Sequence, residues 1–128
     1  MKHLQIKKNG SIATVSINRP NAMNALSIEV LKEFCTLQEY FRKDLDTRVV
    51  IFTGEGDHFS AGADLKEKPQ LSTKLESWRN NFGKPAIKSI LDIDQITIAA
   101  VNGYCLGGAA CIVSACDFRV ASVSYTHL

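Results

Sequence analysis

From Leu4 onward, apolar residues alternate with polar ones, and after Asn9-Gly10 the alternation resumes at Ala13, Val15 and Ile17. A period of two lines up one face of a strand. Asn-Gly between two such runs predicts a hairpin with positive φ at both turn positions. Arg19-Pro20-Asn21 ends the second strand, because proline cannot donate to a ladder. Ser27 can cap a helix, and Leu31, Phe34, Leu37, Phe41 and Leu45 then recur three or four apart, as one helix face requires. Val49 to Phe52 and Ile96 to Val101 are unbroken apolar runs, which read as strands buried on both faces. Phe118 to Ala121 reads as another strand, and Leu71 to Asp94 as helical with an interruption near Gly83-Lys84-Pro85. Strands separated by helical stretches predict a mixed α/β domain with largely covered sheet faces.

Composition narrows the function classes. The 128 residues suffice for one domain, and a hydrophobic fraction of 45% can build a core. The net charge of +2 is spread over mixed acidic and basic residues, with no basic stripe, so no nucleic-acid partner is expected. No apolar run is long enough to span a bilayer, so no membrane partner is expected either. Met1-Lys2-His3 runs straight into the first strand without a signal peptide, and the reading is cytoplasmic. The four cysteines form no CxxC pair and no histidines stand at zinc-ligand spacing, so no metal site is expected. Cys105, Cys111 and Cys116 lie in an apolar stretch and read as buried thiols of a reduced protein.

Two glycine-rich loops each follow a buried-type strand: Gly54 to Lys66, and Asn102 to Cys111. Small residues let a ligand approach the backbone, and a helix N-terminus offers free N–H donors. The spacing alone leaves two readings open: tight turns, or a pair of N–H groups aimed at one oxygen, an oxyanion hole. Gly54 and Gly56 lack the third glycine of a dinucleotide loop, and no Lys-Ser/Thr follows Gly108 as a phosphate loop requires.

Phe59-Ser60-Ala61-Gly62-Ala63-Asp64-Leu65-Lys66 resembles the FxAGADxK motif of the crotonase superfamily, the enoyl-CoA hydratases and isomerases. Ala99 to Ala109 resembles that family's AAVNGxxxGGG motif, continued by Ser114 to Ser122; Ile17 to Pro20 and Asn24-Ala25-Leu26 also fit. The resemblance implies an α/β fold, a crotonase-like spiral of ββα units, here truncated. It covers residues 1–122 as a partial acyl-CoA-binding domain, and residues 123–128 do not match it. It also implies an acyl-CoA enzyme that stabilises a thioester enolate, with coenzyme A thioester as substrate, no cofactor, and a parent homotrimer or dimer of trimers. By position, the backbone N–H groups of Ala63 and Gly108 would form the oxyanion hole. Ala61, Ala63, Asp64, Leu65, Lys66 and Gly108 would border the substrate.

The acid/base residues depart from the family. Hydratases of this family carry a glutamate three residues after the second oxyanion glycine, and that place holds Cys111, which reads as a packed core thiol. This makes hydration doubtful; isomerisation needs a single proton-shuttling carboxylate and survives the departure better. The competing class is a non-catalytic acyl-CoA-binding or interaction protein. Val123 to Leu128 reads as a foreign tail on a truncated chain, so His127 is not assigned as a base. Asp64 reads as a first-turn or N-cap acid, Asp117 as an acceptor for backbone N–H groups, and Glu55, Asp57 and His58 as solvated loop residues. Lys66 and Arg19 are open between CoA phosphate contact and simple exposure, and Trp78 between core and lid.

Overall fold

A computed structural model describes residues 1–67 and 81–122. A hairpin of β1 (Leu4–Asn9) and β2 (Ile12–Ile17) leads through a short 3-10 turn at Pro20–Ala22 into α1 (Ile28–Cys35) and α2 (Leu37–Arg42). Next come β3 (Val49–Gly54), α3 (Gly83–Leu91), β4 (Ile96–Val101), α4 (Gly108–Ala115) and β5 (Phe118–Ala121). The five strands form one sheet in the order β1-β2-β3-β4-β5. β1 runs antiparallel to β2, and every later pair is parallel. Parallel neighbours require a crossover, and helices supply it between β2 and β3 and between β4 and β5. The residues predicted to be apolar strands are strands, and the fold class is the α/β one expected.

The parallel register aligns side chains of one face. Val15 pairs with Phe52 and Phe52 with Ala99, and all three are buried. Phe34, Phe41, Ile90 and Ile112 from the helices join this same cluster. Burying each such side chain contributes on the order of 2 kcal/mol. Val49, Ile51 and Ile98 point to the other face and stay partly exposed. The expectation of strands covered on both faces is therefore corrected: among the described residues, the helices contribute to one core on one face.

Three local details differ from the pattern reading. Asn9 pairs with Ile12, so the turn residues are Gly10 and Ser11, and positive φ falls on Gly10 alone, at 61°. The expected single helix face is split at Thr36, whose hydroxyl donates to Glu33 C=O at 2.7 Å and competes with the helical ladder. Leu45, expected on that face, is 92% exposed. Asp44 turns the chain there by accepting from the N–H groups of Asp46 and Thr47, so Leu45 points outward.

Ser27 caps α1 as expected, its hydroxyl accepting from Val30 N–H at 3.2 Å. Gly83-Lys84-Pro85 opens α3, where a first-turn proline removes an N–H that would have had no helical partner. α3 ends at Leu91, short of Asp94. Trp78, the start of the expected helical stretch at Leu71, and residues 123–128 lie outside the described residues.

Candidate active site

Strands β3 and β4 are neighbours, so the loops at their C-terminal ends leave the sheet side by side. Two buried or half-buried asparagines hold the first loop. Asn24 Nδ2 donates to Glu55 C=O at 2.8 Å and His58 C=O at 2.7 Å, while its Oδ1 accepts from Arg19 N–H at 2.8 Å. Asn24 sits at φ 55°, a conformation asparagine tolerates better than most residues. Asn102 Nδ2 donates to Gly54 C=O at 3.0 Å and Gly56 C=O at 2.9 Å. Sequence reasoning placed both asparagines in family motifs without giving them this role; the usable signal is a short amide at a strand end, where free carbonyls collect.

The loops then join in a short ladder. Ser60 N–H donates to Tyr104 C=O at 2.9 Å, and Leu106 N–H to Ser60 C=O at 3.2 Å. Gly62, at φ 90°, turns the next peptide out of that alternation. Its C=O accepts from Leu26 N–H at 2.7 Å. Across a trans peptide the N–H points opposite to the C=O, so Ala63 N–H turns away from Leu26. Gly62 must be glycine for a second reason: a Cβ there would lie 2.6 Å from Leu106 O. The 60–63 segment and the 104–108 loop are thus packed backbone to backbone.

Gly108 is the first residue of α4, so its N–H has no partner within the helix. Ala63 and Gly108 are both solvent-accessible, and both line one cavity of about 510 Å³. Leu26, Leu31, Ile87 and Ile112 give it apolar walls; Asn81 and Lys84 add polar atoms. That volume lies in the usual range for small-molecule sites. Among the described residues its lining contains no Asp, Glu or His. A larger hollow of about 970 Å³ beside Lys8, Tyr40 and Asp44 is far more polar, and no residue of either glycine loop borders it.

The remaining expected site residues divide. Ala61 is half-buried in the loop, its N–H bonded to Met23 C=O at 3.0 Å. Leu65 is 92% exposed, and Lys66 is exposed as well. Asp64 is no helix cap, because the described residues after it form a turn: Oδ1 accepts from Lys66 N–H at 3.0 Å. Its Oδ2 meets the Arg19 guanidinium at 3.3 Å, and Arg19 also donates to Ala25 C=O at 2.9 Å. Arg19 is therefore engaged within the fold rather than simply exposed. Asp117 accepts from Thr97 N–H at 2.9 Å, as expected of a backbone acceptor. His58 is half-buried against Tyr104 instead of solvated.

Cys111 is the clearest correction. It is exposed and borders the cavity, not packed in the core. Helix geometry explains it: Ile112 and Ala115 occupy the buried stripe of α4, and Cys111 falls outside it. Cys116 is the buried thiol, and desolvation pushes it up to about 11. Cys35 and Cys105 are half-buried and raised for the same reason. Among the described residues no cluster of His, Cys, Asp or Glu could hold a metal ion, and no helix is long and apolar enough to cross a membrane.

Known proteins are similar to this chain in sequence and in fold. The chain is 36% identical over 95% of its length to a short-chain-enoyl-CoA hydratase of Clostridium acetobutylicum, covering 47% of that protein. It is 33% identical over 91% of its length to a peroxisomal Delta(3,5)-Delta(2,4)-dienoyl-CoA isomerase of Arabidopsis thaliana, again covering 47% of the relative. The crystal structure of an enoyl-CoA hydratase from Bacillus anthracis superposes with a TM-score of 0.85 at 32% identity, over 93% of this chain and 47% of that one. The chain thus spans about half the length of the relatives it matches. The profile of the enoyl-CoA hydratase/isomerase family matches residues 7–125, and with the paired glycine loops on one cavity this chain belongs to that family.

Proposed function

We propose that this chain forms the oxyanion-hole half of an acyl-CoA enzyme of the hydratase/isomerase type. The observation that carries the reading is the cavity shared by Ala63 and Gly108. Two N–H groups on rigid, backbone-packed loops cost no reorganisation when charge develops on a thioester oxygen. Removing one such donor typically costs roughly 3–4 kcal/mol of transition-state stabilisation. The apolar walls suit an acyl chain, while Leu65 and Lys66 lie on the exposed side, where the polar remainder of CoA would extend.

Enolate stabilisation is half of the chemistry; the other half is proton transfer. Orienting a water for attack takes a carboxylate, and a neutral thiol is a weak acceptor. Cys111 borders the cavity at the place where hydratases of this family carry a glutamate. That observation favours double-bond isomerisation in the whole protein, with one carboxylate supplied from outside this chain, over hydration. It equally favours a second reading, an acyl-CoA-binding protein without turnover. The proposed assembly is a homotrimer or dimer of trimers, and the proposed compartment is the cytoplasm.

The test is to offer the chain crotonyl-CoA and 3-enoyl-CoA. Saturable binding of both, without water addition at rates usual for enzymes, is expected. Hydration of crotonyl-CoA at such rates would overturn the proton-transfer argument, and failure of both thioesters to bind would overturn the whole reading.

A further inference from the structure

The contact between His58 and Tyr104 ties the two glycine loops together by a side chain. Tyr104 N–H donates to His58 Nδ1 at 3.0 Å, and the two rings stack with centroids 4.3 Å apart and planes 12° apart. The neighbouring bonds between these loops, Ser60 to Tyr104 and Leu106 to Ser60, are backbone bonds that no protonation alters. The imidazole bond differs, because Nδ1 accepts only while it carries no proton; an imidazolium has donors and no acceptor. The ring is also pressed close to the second loop: a Cβ on Gly103 would lie 2.5 Å from Nδ1. Gly108 follows Tyr104 by four residues on the same loop.

We infer that His58 is a positioning residue: its neutral imidazole adds a side-chain tie at Tyr104 that refines the place of the 102–108 loop, and so of Gly108 on the cavity it shares with Ala63, and its protonation removes that tie while the backbone bonds remain. The loop coupling stands by itself; its consequence for a ligand rests on the acyl-CoA reading above. Among the described residues, Glu55 and Asp57 stand on the same loop as His58, and Tyr104 lies across the contact. Arg19, beside the Pro20–Ala22 turn, is occupied by Ala25 C=O and Asp64. The sign follows from the acceptor: the bond exists with the imidazole neutral and is lost once Nδ1 carries a proton.

The test uses the ¹⁵N-labelled chain, His58→Asn and His58→Leu, with acetoacetyl-CoA as probe. Asparagine Oδ1 stands where Nδ1 stood and accepts without titrating, whereas leucine keeps bulk and loses the acceptor. In the parent chain the Tyr104 and Gly108 amide signals should follow the His58 ring nitrogens along one titration curve; in His58→Asn they should stay flat. Affinity for acetoacetyl-CoA should fall roughly three- to tenfold on acidification, and as much in His58→Leu at high pH, the worth of about one hydrogen bond. His58→Asn should bind within about twofold of the parent at high pH and lose the pH dependence, since its amide does not titrate. If His58→Leu does not fold, the flat His58→Asn profile against the sloping parent still decides. A Gly108 amide indifferent to His58 overturns the inference, as does a probe that binds equally in every protonation state. Coupled amides with no binding at all would leave the positioning role standing and sink the acyl-CoA reading instead.

Discussion

Gly62→Ala probes the packing that brings the two loops together. The native φ of 90° is one that an alanine rarely adopts, which costs about 1–3 kcal/mol. The new methyl would stand 2.6 Å from Leu106 O and 3.2 Å from its carbonyl carbon, where ordinary contact begins at 3.4 Å. Both neighbours are backbone, so relief requires the loops to part. Parting them stretches the Leu106 N–H to Ser60 C=O bond, already 3.2 Å long, whose net worth is about 1 kcal/mol. Together these give roughly 2–4 kcal/mol of destabilisation. Gly10→Ala is the matched control: its φ is 61° and nothing lies within 4 Å of its added Cβ, so only the left-handed backbone cost of roughly 1–2 kcal/mol applies. Equilibrium urea unfolding followed by circular dichroism compares the three proteins, with the slope checked for constancy. Gly62→Ala should lose clearly more stability than Gly10→Ala. Equal losses would mean that the loops yield freely, and the preorganisation argued for the site would fail.

Asn24→Ala removes two hydrogen bonds to the first glycine loop and a third from Arg19 N–H, and should cost about 3 kcal/mol in the same assay, at about 1 kcal/mol for each bond lost. Alkylation by iodoacetamide followed by peptide mass spectrometry should mark Cys111 first and Cys116 last, because one is exposed and the other is buried with its thiol pushed up to about 11. Cys111→Glu should change the stability of the chain by less than about 1 kcal/mol, as an exposed position allows; a larger loss in urea would show the site to be buried after all. The hydrogen bond from Lys8, helped by the Thr47 hydroxyl, holds the Asp44 carboxyl far below the usual carboxylate range. Its contribution is therefore present above the unfolded value of about 4 and lost as pH falls below it. Asp44→Asn should lower the unfolding midpoint at neutral pH and approach the parent in acid, and a constant gap across pH would refute this.

Period-two and unbroken apolar runs placed the strands correctly, because side-chain alternation is dictated by the backbone itself. The glycine loops were legible as a pair for the same reason: small residues after buried strands mark places where backbones meet. What escaped were effects that polar side chains impose on the chain. Asp44 gathers two N–H groups and throws Leu45 outward, and the Thr36 hydroxyl splits a helix whose apolar period runs on undisturbed. Coverage of the sheet depends on helices packing from both sides, and an apolar run cannot tell a covered face from a half-covered one. Cys111 was misjudged because its neighbours Ala110, Ile112 and Val113 are apolar in sequence, whereas around a helix they diverge to different sides. His58 looks like any loop histidine until the fold sets Tyr104 against it.

A crystal structure of the chain with acetoacetyl-CoA tests the central claim most directly. The account predicts the thioester oxygen in the Ala63–Gly108 cavity, within about 2.7–3.1 Å of both backbone nitrogens. A thioester seated there with its oxygen bonded to neither nitrogen, or bound elsewhere on the chain, would contradict it.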